Sequence, residues 1–186
     1  YATPNMASWL IKNLKEFKSG PIDISLIVGM VPFDGLSIAV HEGFKELQKE
    51  RMPQEVAHYQ CSYVYDSAPV HAKVYVWLKG DEPVAAFAGS ANFTQSAFGE
   101  KRREYMVECD ALEAYRYYCS VENDTIFCNH AEVEDKVIIT RSHPVLETEE
   151  APAISLHGAG IQNVTLSLLA RGGETGRRSG LNWGQR

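Results

Sequence analysis

The sequence predicts an α/β fold, a mixed central sheet held between two helical layers. Three observations predict it. Stretches of helical period alternate with short apolar runs of strand character over the first two thirds of the chain. Glycine and proline stand at the joins, as at Gly20-Pro21 and Asp34-Gly35. Side chains able to do chemistry sit at the ends of neighbouring apolar runs, where open α/β sheets place their ligands.

The elements follow in order. Asn5–Lys18 carries Met6, Trp9, Leu10, Leu14 and Phe17 on one helical face, after a Pro4-Asn5 start, and Gly20-Pro21 breaks it. Ile22–Met30 reads as a buried strand. Asp34-Gly35 opens a second helix with Leu36, Val40, Phe44 and Leu47 on a common stripe. Val56–Tyr65 is a strand. His71–Leu78 is β-branched and aromatic, so it reads as a strand, and Val84–Ala88 pairs with it as a hairpin. A short helix is expected near Thr94–Phe98, a strand at Tyr105–Cys109 and a helix at Ala111–Val121. Val137-Ile138-Ile139 is a last strand or the start of a connection. Ser142–Ala153 holds Pro144, Glu147, Glu149, Glu150 and Pro152 and reads as a linker. Val164–Leu169 alternates and reads as the first strand of a second domain. The expected division is residues 1–141 for the first domain, 142–158 for the linker and 159–186 for the opening of a second.

Composition narrows the class. The chain has 186 residues, room for one full domain and little more. Its 45% hydrophobic content supplies an ordinary globular core. No apolar run approaches the ~20 residues needed to span a bilayer, and the start lacks a signal-peptide layout. The chain opens on Tyr1, which leaves room for a first strand of the sheet ahead of it. Four cysteines, Cys61, Cys109, Cys119 and Cys128, show no pattern that demands disulfides, so a reducing cytoplasm is the expected location. Cys119, Cys128 and His130 lack the Cys-x-x-Cys spacing of a zinc site, and no metal or other cofactor is expected. His41, in a helix, and His58, in a strand, read as structural, as do His143 and His157 in the linker region. His130, in a loop, is the one worth testing as an accessory.

The chemistry concentrates between His71 and Glu104. The order is His71-Ala-Lys73, then Gly89-Ser90-Ala91-Asn92, then Glu104. On a strand, His71 and Lys73 share a face, two residues apart. A neighbouring strand ending at the same edge brings Ser90 and Asn92 to them. An imidazole has an unperturbed pKa of ~6.5, so it can act as a neutral nucleophile at working pH. Lys73 supplies positive charge to phosphate oxygens, and Ser90 and Asn92 supply neutral donors. Glu104 can hold the imidazole in one tautomer. One imidazole does not serve easily as both nucleophile and leaving-group acid. A two-fold dimer that faces two copies of His71 supplies the second.

These residues resemble the signature of the phospholipase D superfamily: His-x-Lys, Gly-Ser-x-Asn, then a downstream Glu. The superfamily commonly carries an Asp soon after the Lys. Here the nearest is Asp81, and the extra residues Lys79-Gly80-Asp81-Glu82 read as a longer hairpin turn. Gly89–Thr94 and Ser179–Arg186 are similar to NgoFVII-type restriction endonucleases. That resemblance implies a phospholipase D-like nuclease domain, an α/β/α sandwich, followed by the truncated start of a pseudobarrel DNA-recognition domain. It implies hydrolysis of DNA through a phosphohistidine on His71, with the second copy's imidazole as acid and no divalent ion. Lys73 and Asn92 grip the phosphate, Ser90 supports it and Glu104 orients His71.

The net charge of −6 does not advertise nucleic-acid binding, but local potential decides steering. Lys101, Arg102 and Arg103 directly precede Glu104, where a DNA backbone would run. Residues 161–186 hold Arg171, Arg177, Arg178 and Arg186 against Glu174 alone. With Asn182 and Gln185 they read as a recognition arm for double-stranded DNA. Arginine pairs bidentately with guanine, and Asn or Gln with adenine. Two other classes remain open: a lipid phosphodiesterase built on the same five residues, and a non-catalytic DNA-binding fragment. A lipid hydrolysis assay separates the first, and plasmid cleavage in excess chelator the second.

Overall fold

The computed structural model describes residues 1–14, 21–99 and 102–140, and the backbone of residues 166–172. Helix α1 (Pro4–Asn13) starts with proline in its first turn, and Thr3 caps it by accepting from the Met6 backbone N–H at 3.3 Å. Strand β1 (Ile22–Val28) leads to a single helical turn, α2 (Val31–Asp34), and a two-residue strand, β2 (Leu36–Ser37). Helix α3 therefore begins later than its apolar stripe suggests, at Ile38–Lys49. Ser37 caps it, accepting from Val40. Leu36 is part of the stripe in burial but not in helix. Gly35 makes the turn between α2 and β2 at φ +69, and an added Cβ there would press on Ile138.

Strand β3 (Val56–Val64) runs parallel to β1, and β4 (Val74–Lys79) and β5 (Glu82–Gly89) form an antiparallel hairpin. The turn between them is the tight two-residue Gly80-Asp81, with Gly80 at φ +61. The residues expected to lengthen the turn instead extend the strands, with Lys79 paired to Glu82. The short α4 (Gln95–Phe98), β6 (Met106–Cys109) and α5 (Ala111–Glu122) follow where their patterns point. Two short elements were invisible in the pattern, β7 (Thr125–Phe127) and α6 (Val133–Lys136), and β8 (Ile139–Thr140) takes up the end of the Val137–Ile139 run. They are too short to show a period, and tertiary pairing makes them: β7 lies antiparallel to β3 and β8 parallel to β2.

The last described strand, β9 (Leu166–Gly172), corrects the expected location of its alternating run. It does not stand in a separate unit. It lies in the middle of the sheet, antiparallel to β1 and parallel to β4, in the order β6-β5-β4-β9-β1-β3-β7. An apolar alternation states that a strand will be half-buried; it does not state against which neighbours. The linker expected at 142–158 lies outside the described residues.

Alternate residues of β1, β3 and β4 feed two cores on opposite faces. Leu26, Val28, Tyr59, Cys61, Tyr63 and Tyr75 pack with α1 and α3. Ile27, Val64, Val74, Val76, Leu78 and Ala86 pack with Ala114, Tyr118 and Val121 of α5. The result is an α/β/α sandwich around a mixed sheet. A buried polar tie crosses the second interface: Ser25 Oγ and Tyr118 Oη lie 2.6 Å apart, and Gln60 donates to Ser25. No helix among the described residues is long and apolar enough to cross a membrane. The four cysteines are free thiols. Cys61 and Cys128 are buried, while Cys109 is half-buried.

Candidate active site

Strand β4 starts, β5 ends and β6 starts at the same end of the sheet, because the three run antiparallel in order. That end holds the His-x-Lys, the Gly-Ser-x-Asn and the glutamate. His71 and Lys73 are not inside the strand, as the run suggested, but in the segment leading into it. The ladder explains the difference. Its last rung is the Gly89 N–H on the Lys73 carbonyl, and just upstream Val70 N–H bonds Gly29, past the end of β1.

The side chains come together as follows. Lys73 Nζ lies 2.8 Å from His71 Nε2 and also donates to the His71 carbonyl at 3.0 Å. An ammonium has no lone pair, so in this contact it is the donor and Nε2 the acceptor. That leaves the imidazole proton on Nδ1. Lys73 is buried while His71 is exposed. Burial holds the ammonium below the usual lysine range, and the charge of Glu104 works against that shift. Glu104 accepts a short hydrogen bond from Ser90 Oγ, which in turn accepts from the Tyr105 N–H at 3.0 Å. Ser90 N–H bonds the Tyr105 carbonyl, so Ser90 and the start of β6 are clasped twice. The sequence assigned Glu104 to the imidazole; the contact seen at Glu104 is with Ser90.

Gly89 is required by space. A Cβ there would overlap the Tyr105 carbonyl and press on Met106. Gly89→Ala is therefore expected to push β5 and β6 apart, at about 1–3 kcal/mol, and to lower the melting temperature by roughly 5 °C. It should also lower cleavage, since Ser90 and Glu104 ride on those strands. An unchanged melting curve would contradict the close approach.

Asn92 is buried, and its Oδ1 accepts from the backbone nitrogen of Tyr1 at 3.0 Å. Ala2 bridges to Phe93, and Thr3 N–H bonds the Phe93 carbonyl, so the first residues brace the loop that carries Asn92. Thr94, fully buried, caps α4 and closes the loop from the other side. Tyr75 is a support that sequence reasoning missed. Its hydroxyl donates to the Ala91 carbonyl at 2.9 Å, and burial followed by the Glu104 charge pushes its pKa up. The signal was present: residues 71, 73 and 75 alternate with their neighbours. Asp81, in the turn at the far end of β4, is remote from Lys73 along the strand and takes no place beside it.

Arg102 and Arg103 are exposed just ahead of Glu104. Lys101 lies outside the described residues, as do Arg177, Arg178, Asn182, Gln185 and Arg186. Arg171 falls in β9, where its backbone is level with Asp23 and Leu78. His130 is exposed in the turn before α6, its Nδ1 accepting from Glu132 N–H, and Cys128 donates to Gln48.

A mixed α/β fold of this kind is consistent with a phospholipase D-like domain. The chain belongs to the NgoFVII restriction endonuclease N-terminal PLD domain family, whose profile matches residues 1–135. The family is one of restriction-system nucleases, hydrolases that act on the phosphodiester bonds of DNA. No curated protein and no solved structure matches the chain.

Proposed function

We propose that this domain cleaves DNA through a covalent phosphohistidine on His71, without a divalent ion, as the catalytic part of a type II restriction endonuclease. The observation that carries the reading is the Lys73–His71 contact. An ammonium against Nε2 keeps that nitrogen unprotonated and marks where an anion would settle. A phosphate oxygen entering there takes over the lysine's hydrogen bond and leaves the Nε2 lone pair facing phosphorus. Attack forms the N–P bond and expels one ester oxygen, which needs a proton. The His71 of a second copy, across a two-fold axis, supplies it from its imidazolium form, with Nε2 turned off Lys73, and is left neutral. That imidazole then takes a proton from water, whose oxygen displaces Nε2 and completes hydrolysis. Lys73 neutralises charge on the phosphate oxygens and the Asn92 amide donates to them, while Ser90, whose hydroxyl proton goes to Glu104, supports the loop that carries Asn92.

Arg102 and Arg103, with Lys101, would track the backbone beside the cleavage site, whereas Arg171, level with Leu78 toward the other end of β4, would meet DNA only away from it. Sequence discrimination is assigned to the arm carrying Arg177, Arg178, Asn182, Gln185 and Arg186, which follows β9 in the chain. Its test is a full-length protein with Arg177 and Arg178 replaced by Ala. Selectivity between sites should fall more than hydrolysis does; unchanged selectivity removes the arm from recognition.

The mechanism makes a direct demand. In excess EDTA the full-length protein should cut plasmid DNA at an unchanged rate, and alkaline quench should trap radiolabelled phosphate on His71. Cleavage that stops with EDTA and returns only with Mg²⁺ would exclude the mechanism. Sedimentation tests the shared site: a fully active monomer is incompatible with it.

A further inference from the structure

We propose that His41, Glu42 and Glu134 form a binding site for a divalent transition-metal ion of the zinc class, separate from the cleavage site. One ligand atom from each of the three lies within 4.8 Å of the others, and this is the one group of three or more metal-ligating side chains found among the described residues. Spacing among acidic groups alone is a weak signal. The second observation is the state of His41. Its side chain is 1% exposed, yet Nε2 makes no hydrogen bond. The nearest ion-pair partner, Glu134 Oε1, is 3.8 Å away, past hydrogen-bond reach. A buried ring nitrogen left unsatisfied is costly, and native structures rarely keep one without a reason.

The other face of the ring is already committed. Tyr63 Oη lies 3.2 Å from His41 Nδ1, deep in the core. With an ion on Nε2, Nδ1 carries the proton and donates it to the Tyr63 oxygen. That outer partner orients a ligating histidine and fixes its tautomer. Glu134 is 66% exposed, so an ion has a path from solvent. One nitrogen and two carboxylate donors suit zinc or cobalt better than magnesium, which prefers oxygen ligands and keeps its waters.

Lys45 is the competitor. Its Nζ lies 3.0 Å from Glu42 and 3.5 Å from Glu134, so the ammonium holds both carboxylates in the absence of an ion. It leaves Nε2 unsatisfied, whereas a dication satisfies all three groups. Binding therefore displaces Lys45 toward solvent. It also clamps α6 to α3. Among the described residues, β8 follows α6 directly and pairs with β2 at the start of α3, so the clamp closes a loop of structure at the end of the described sandwich.

The test is titration of the metal-free full-length chain with Zn²⁺ against a chromogenic chelator, followed by Co²⁺ absorbance to read ligand geometry. One equivalent should bind, with a tetrahedral Co²⁺ spectrum. Glu134→Gln, at an exposed position, should weaken binding at least tenfold and leave cleavage unchanged. His41→Gln should do the same to binding. Lys45→Met should tighten binding several-fold, because the competing cation is gone. Binding undiminished in Glu134→Gln overturns the proposal, as does Lys45→Met binding no tighter than the parent chain. Cleavage is read separately, so failure here leaves the phosphohistidine mechanism untouched.

Discussion

Replacing His71 by Ala will lower DNA cleavage on the order of 10⁴-fold or more, because the group proposed to form the N–P bond is gone. Few substitutions in this chain can have a larger effect, and its specificity is checkable. His71 is exposed at the end of the sheet and outside both cores. Removing an exposed side chain costs within about 0.5 kcal/mol. The melting curve should therefore stay within a degree or two of the parent's. DNA binding should also persist, since phosphate contacts from lysine and arginine dominate affinity. Rates of plasmid nicking, melting curves and gel shifts on the same preparation decide the matter. Cleavage retained within tenfold would remove His71 as nucleophile. Loss of folding together with cleavage would show that the exposed imidazole is structural.

Lys73→Met will separate catalysis from stability in the opposite sense. Methionine keeps most of the lysine stem and removes the charge. Loss of one preorganised donor to the phosphate should lower cleavage by about 10²–10³-fold. The fold should not suffer. The Lys73 ammonium is buried, and its pKa in the folded protein is lowered by desolvation, with Glu104 opposing. A base whose folded pKa lies below its ordinary value binds its proton less tightly in the folded state than in the unfolded one. Below the folded pKa the charged group is carried at a cost, and that cost is relieved as pH climbs toward 10.5. The methionine variant should therefore melt at or above the parent at pH 7, with the advantage shrinking at alkaline pH. A variant that melts well below the parent at pH 7 would mean that the Lys73 hydrogen bonds to His71 stabilise the fold more than burial of the charge destabilises it.

On the proposed mechanism this cost serves function. A buried lysine is rare unless paired, and the pairs here are neutral: an imidazole nitrogen and a carbonyl. The arrangement is poor for stability and good for receiving an anion, as expected of a binding site.

How much of this was legible depends on distance along the chain. The strand and helix runs up to Val121 were read from period alone, since side-chain direction depends on residues two to four positions away. Their ends were less legible. His71 and Lys73 fall just outside β4 because the ladder stops at Gly89, and Leu36 falls outside α3 because β8 pairs with β2. The five groups of the candidate site were named from spacing, but their partners were not. Glu104 was assigned to the imidazole, and its bond from Ser90, which also accepts from the Tyr105 N–H, was not foreseen. Tyr75 was overlooked although it continues the alternation of His71 and Lys73. His41 was dismissed as one structural histidine among several; only the approach of Glu134, far along the chain, shows its second nitrogen to be unsatisfied.

The sequence by itself determined the α/β class, the two-faced strands and the chemical inventory at one end of the sheet. Each of these is set by short-range alternation and by the few residue types able to carry the chemistry. Tertiary structure alone decided that Leu166–Gly172 enters between β1 and β4, that Tyr1 braces Asn92, and that Glu134 meets His41. Those outcomes depend on which distant surfaces bury one another and which backbone groups find partners, and a local pattern carries no record of either.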